Sequence, residues 1–168
     1  MKGTNIAIKQ AKKLLAKYGK PGKATDVEYI AKKLKIKIVP FPFSDDGISG
    51  VFFKKGKQLL LGVRSDDSEH RKRFTIAHEI GHYILHAEDI LHYDKQEAYP
   101  EAVFYRASGS LPTSDEREAN FFAAEMLMPE ESVRKCIDKG MDTVEGLANF
   151  FNVSNQAMTI RLSYLGYL

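Results

Sequence analysis

The run His78-Glu79-Ile80-Gly81-His82 constrains this chain more than any other stretch. In a helix, residues four apart stand one turn above each other on the same face. His78 and His82 can therefore aim ring nitrogens at a single ion, about 2.0–2.1 Å away for zinc. Glu79 is rotated by about 100° from His78. It cannot share that ligand position, but it can reach a water on the ion, which is the placement of a general base. Phe74, Ala77, Ile80, Gly81 and Ile84 form an apolar stripe beside the histidines, so the helix must dock on a core. Gly81 lowers helix propensity by roughly 1 kcal/mol against alanine. A glycine there predicts the close approach of another segment.

Two histidines leave a tetrahedral zinc under-coordinated, so a third ligand must come from elsewhere. A motif extension with glycine at position 85 and histidine at position 88 is absent, since Leu85 and Glu88 stand there. The segment Asp115 to Met128 reads as a second helix, with Ala119, Phe122, Ala123, Met126 and Leu127 as its core stripe. Glu116 lies roughly 50° from the centre of that stripe, and Glu118 and Glu125 lie more than about 100° away. Glu116 is thus the expected third ligand, with Glu118 and Glu125 expected in solvent. The bland alternative for Glu116 is an acid favoured by the helix N-terminus. Asn120, one turn further on, can hydrogen-bond a ligating histidine. His86 follows His82 by one turn and reads as a supporting or helix-terminal residue, because a catalytic zinc keeps one position open. Tyr93, Tyr99, Tyr105 and Arg106 lie between the two helices and are candidates for stabilising an oxyanion. The sequence does not choose among them.

The remaining features set bounds. A length of 168 residues suits one domain with a real core. No stretch approaches the roughly 18 apolar residues of a membrane span. Met1-Lys2-Gly3-Thr4-Asn5 leads into lysines with no apolar signal run. Cys136 is the only cysteine, so no intrachain disulfide forms, and a reducing cytoplasm is the expected location. A net charge of +3 is weak evidence for nucleic acid, because the N-terminal lysines are spread over helices and not packed in one dense run.

Along the chain, Thr4 caps a helix to Tyr18 and Asp26 caps another to Leu34. Ile36 to Phe41 reads as an edge strand, because it holds Pro40 with Pro42 just beyond. Ile48–Phe53 and Gln58–Val63 read as a hairpin. Ser65-Asp66-Asp67 reads as the start of the histidine helix. Residues 88–113 read as a long loop with a short strand at Val103–Arg106. Ser114 opens the second metal helix and Pro129 ends it. The remainder reads as a short helix over Glu130–Lys139, then helix, turn and helix over Val144–Leu165.

The runs Arg73 to His86 (RFTIAHEIGHYILH) and Glu116 to Pro129 (EREANFFAAEMLMP) resemble the ImmA/IrrE family of metallo-endopeptidases. The Gly47–Gly50 segment and the tail are similar to that family too, so the likeness covers about residues 25–168. It implies an α+β, minimal zincin-like (gluzincin-like) core with a small antiparallel sheet, two metal-binding helices and a helix-turn-helix-like tail. One zinc ion held by His78, His82 and Glu116 is implied, with Glu79 as base. The implied partner is a helix-turn-helix repressor of the Xre/cI type, cleaved to relieve repression of a mobile element, phage or stress regulon. Residues 1–130 are expected to form the core and 131–168 a tail packed on it. Asn155, Gln156, Thr159 and Arg161 are a modest set for reading DNA, so packing or substrate holding is the expected role of the tail. The competing reading is a non-proteolytic binding module that docks on a repressor or DNA, with a structural zinc closed by a fourth ligand such as His86 or His92.

Overall fold

The computed structural model describes residues 2–42, 49–55, 58–86 and 113–168. Helix α1 (Lys2–Tyr18) leads to α2 (Val27–Lys33), then strands β1 (Ile36–Phe41), β2 (Gly50–Lys55) and β3 (Gln58–Arg64). Five helices follow: α3 (Glu69–Leu85), α4 (Ser114–Leu127), α5 (Glu130–Asp138), α6 (Val144–Phe151) and α7 (Asn155–Leu165). The fold is α+β.

The strand order is β1-β3-β2. β2 and β3 form the expected antiparallel hairpin, from Gly50 opposite Val63 to Lys55 opposite Gln58. β1 instead runs parallel to β3, with Ile36 opposite Leu59 and Phe41 opposite Arg64, so the sheet is mixed and not purely antiparallel. β1 does occupy an edge, where the missing N–H of Pro40 interrupts no inner ladder. β3 is central and apolar on both faces, with Leu60, Leu61 and Val63 buried.

Local capping sets the helix boundaries. Asp26 accepts from Tyr29 N at the start of α2. Ser68, and not Ser65, caps α3, accepting from Arg71 N at 3.3 Å. The start falls three residues later than the Ser65-Asp66-Asp67 signal predicts, because β3 continues to Arg64 and the chain needs a turn before it can enter the helix. Thr113 caps α4 by accepting from Glu116 N.

α4 packs against both α1 and α3. Its stripe of Ala119, Phe122, Ala123 and Met126 is fully buried. The close approach predicted at Gly81 is present: a Cβ there would lie 3.0 Å from Phe122 Cδ1, so glycine lets α3 and α4 approach each other. Thr25 adds a buried hydrogen bond of 2.7 Å to the carbonyl of Met126.

The tail shares the same core, through Val133, Leu147, Phe151, Met158 and Leu162. Arg161 of α7 is 2% exposed, donates from Nε to Met128 O at 3.0 Å and pairs with Glu125 of α4. Glu125 is 1% exposed, which corrects the expectation that it faces solvent. α4 is covered by α1, α3 and α7 together, so its buried arc is wider than one stripe. Burial pushes the Glu125 carboxyl upward, while Arg161 and Lys12 pull it back. Arg73 of α3 also holds the tail, donating to the carbonyls of Asn152 and Phe151 at the end of α6. Among the described residues no helix is long and apolar enough to cross a membrane.

Candidate metal centre

Two helices build the site. α3 presents His78 and His82 one turn apart, and the first turn of α4 presents Glu116. His78 Nε2 and His82 Nε2 are 2.9 Å apart. Glu116 straddles them, with Oε2 3.3 Å from His78 Nε2 and Oε1 3.3 Å from His82 Nε2. Ligand bonds of about 2.0–2.1 Å in tetrahedral geometry place donor atoms about 3.3 Å apart. The pairwise distances between the three residues are thus close to that spacing, with a different oxygen of Glu116 facing each histidine. Among the described residues they are also the group whose ligand atoms converge for a metal ion.

The chemistry of the donors fits as well. Asn120 Oδ1 lies 3.0 Å from His78 Nδ1, and a carbonyl oxygen only accepts. His78 therefore carries its proton on Nδ1, which leaves the Nε2 lone pair directed at Glu116 and His82. The carboxylate of Glu116 offers only lone pairs. A divalent cation satisfies such a convergence of acceptors. Asn120 is thus the residue that faces His78 Nδ1.

Glu79 is buried, with 8% exposure, beside the start of β2. A Cβ on Gly50 would lie 2.5 Å from Thr75 Cγ2 and 3.0 Å from Glu79 Cγ. Only a glycine lets the strand pass this close to the carboxylate. Gly50 and Thr75 were not singled out by spacing. A lone glycine opening a strand is the one signal that points to such a contact.

His86 is the C-cap of α3, and its Nε2 lies 3.7 Å from Glu118 Oε2. It stands beside the site and outside the converging group. Glu118 is accordingly half-buried and not solvated, a second correction to the helix-wheel expectation. The N-terminal part of α1 comes close to it, since a Cβ on Gly3 would clash with its carboxylate. Tyr93, Tyr99, Tyr105, Arg106 and His92, with the strand expected at Val103–Arg106, lie outside the described residues. In the tail, Arg161 is buried against Glu125 and leaves the exposed set that could face DNA.

Residues 31–163 match the family described as Peptidase M78, the IrrE N-terminal-like domain. The chain belongs to this family. The IrrE-like domain is 32% identical over 113 residues to the radiation response metalloprotease IrrE of Deinococcus radiodurans. That alignment covers 67% of this chain and 30% of the relative. A Mycobacterium tuberculosis transcriptional regulator shares the fold at a TM-score of 0.59 and 16% identity. The match covers 94% of this chain and 46% of the regulator, so the IrrE-like domain spans less than half the length of either protein. The family match includes both metal helices and begins beyond α1.

Proposed function

We propose that this chain is a zinc-dependent endopeptidase, with His78, His82 and Glu116 as ligands and Glu79 as general base. The observation that carries the reading is the convergence of donor atoms from these three residues, with Glu79 adjacent in sequence to His78. The name of the Deinococcus relative supports the metalloprotease class. A divalent ion held there supplies Lewis acidity, polarising a carbonyl and acidifying water. Zinc suits two imidazoles with one carboxylate.

The chain's own residues do the rest. Asn120 fixes the ring of His78 and its tautomer. Glu79 takes the proton of the attacking water and returns it to the leaving amine. Its carboxylate is buried beside the start of β2, at the edge of the sheet. β2 is an edge of the described sheet and passes beside Glu79. An extended substrate strand added to that edge would bring its backbone alongside the base.

As substrate we propose a helix-turn-helix repressor, the class that the family resemblance implies. The test is co-expression with a repressor encoded next to this gene, comparing wild type with Glu79→Gln. Expected is cleavage by wild type only, with equal metal content in both proteins. Loss of a general base lowers turnover by about 10²–10⁴-fold. Cleavage by both proteins would remove Glu79 from the mechanism. Cleavage of an unrelated unfolded protein but of no repressor would keep the peptidase and remove the proposed substrate.

A further inference from the structure

The charge of this chain is divided unevenly. Residues 1–37 hold eleven lysines against Asp26 and Glu28, a net +9, and since the whole chain is +3 the remaining residues carry −6. No carboxylate precedes Asp26. α1 therefore has no acidic residue to pair with its lysines at i,i+4, the usual compensation on a solvated helix. Lys9, Lys13 and Lys17 follow one another at intervals of about 6 Å along the helix axis. Lys12 reaches Glu125 and Glu130.

The fold brings together lysines from the turn after α1, from α2 and from the start of β1. Tyr29 of α2 lies under two ammonium groups, Lys20 at 5.5 Å and Lys33 at 5.2 Å from its ring centroid. One ring thus joins the end of α1 to the end of α2. Next to it is a surface cleft of about 660 Å³ lined by Tyr29, Lys32, Lys35 and Lys37, with Asp26 and Glu28 the two carboxylates in its wall. Lys35 takes a left-handed backbone, φ 61, where glycine would sit without strain. Lys9, Lys13, Lys17, Lys20, Lys32, Lys33, Lys35 and Lys37 are all exposed.

We infer that this lysine face binds the phosphate backbone of nucleic acid without reading its sequence. Three observations choose this partner. Ala7, Ala11 and Leu14 of α1 are already buried in the core, so the helix has no apolar face to insert into a membrane. Among the described residues Ile6 is the one exposed large apolar side chain on α1, and the others lie on α7 and the C-terminal end, so the face offers a protein partner a single apolar contact and no cluster of anchors. All eleven basic residues are lysines, point charges that suit phosphates and lack the bidentate fork that reads bases. The cleft is separate from the metal centre: it borders β1 at one sheet edge, and Glu79 borders β2 at the other. The inference therefore stands whether or not Glu79 cuts a peptide bond.

The experiment is fluorescence anisotropy of the full chain with a short labelled duplex of mixed sequence, in about 50 and 200 mM salt. Neutralising four phosphates predicts a fall in affinity of roughly a hundredfold between those conditions. Lys13→Gln/Lys20→Gln/Lys33→Gln/Lys37→Gln should abolish binding. The pairs Lys13→Gln/Lys20→Gln and Lys33→Gln/Lys37→Gln should each flatten the salt dependence, by about one unit of slope for every lysine that no longer neutralises a phosphate. These side chains are exposed, and thermal melts of each variant confirm that it is folded. Glu79→Gln should bind as wild type does. Absence of binding at the lower salt overturns the inference. So does binding that the quadruple variant retains, which would transfer it to the tail. Binding to phosphatidylserine vesicles or polyglutamate in preference to the duplex overturns it in favour of a membrane surface or an acidic protein.

Discussion

Asn120 Oδ1 stands 3.0 Å from His78 Nδ1, one turn along α4 from Glu116. On the proposed reading, one helix therefore supplies a ligand and also the group that aims another ligand. Asn120→Ala should lower metal affinity by about 10–100-fold, the range for outer partners of ligating histidines. Asn120→Asp should retain or strengthen it, because a carboxylate accepts from the same N–H. Competition with a chromogenic chelator measures both. Unchanged affinity in Asn120→Ala would show that the hydrogen bond does not orient the ring.

Glu116 and Glu118 separate ligand from neighbour. Glu116→Gln should lose metal on dialysis, and Glu118→Gln should keep it. Glu118 approaches His86 and is half-buried, so its loss should cost about 1 kcal/mol in stability, not the few tenths of a solvated residue. Atomic emission and urea unfolding give the two readings. Metal loss in Glu118→Gln with retention in Glu116→Gln would reassign the third ligand.

Gly81 sits against Phe122, where α3 meets α4. Gly81→Val should cost about 1–3 kcal/mol by overpacking, although a side chain there would favour an isolated helix. It should also weaken metal binding, since the same displacement moves Glu116 from the histidines. If stability falls and metal affinity holds, the two helices yield elsewhere.

The Glu125–Arg161 pair ties α7 to the metal helix. Arg161→Met should cost up to about 3–5 kcal/mol, because it leaves the buried Glu125 carboxylate with only Lys12 at 3.9 Å and the N–H of Glu130. Glu125→Leu/Arg161→Met should recover at least half of that loss. Full recovery is not expected, since Met128 O and Glu130 N also lose their partners. Chemical unfolding of the three proteins decides this. Additive losses would mean that the pair is not coupled.

The convergence of His78, His82 and Glu116 was legible because periodicity reports direction where one face is buried. His78 and His82 needed only the i,i+4 rule, and Glu116 only the apolar stripe of α4. The same argument failed for Glu125. A wheel assumes one covered face, and α4 is covered by three helices. Prolines showed that β1 belongs at an edge, but nothing in a strand's composition records whether its neighbour runs with it or against it. Ser65 and Ser68 both offer cap chemistry, and the length of β3 decides between them. The contact of Gly50 with Glu79 joins residues far apart in the chain, and a glycine opening a strand signals a close approach without naming its partner.

Because His82 and Glu116 come from different helices, the donor set exists only while α3 and α4 remain docked. On the proposed reading, the free metal concentration then becomes a thermodynamic variable of the whole domain. At a hundred times the dissociation constant, a ligand of the folded state adds about 2.7 kcal/mol to stability. Metal scarcity would therefore do more than silence the enzyme: it would open the fold to degradation and couple the protein's lifetime to cellular metal supply.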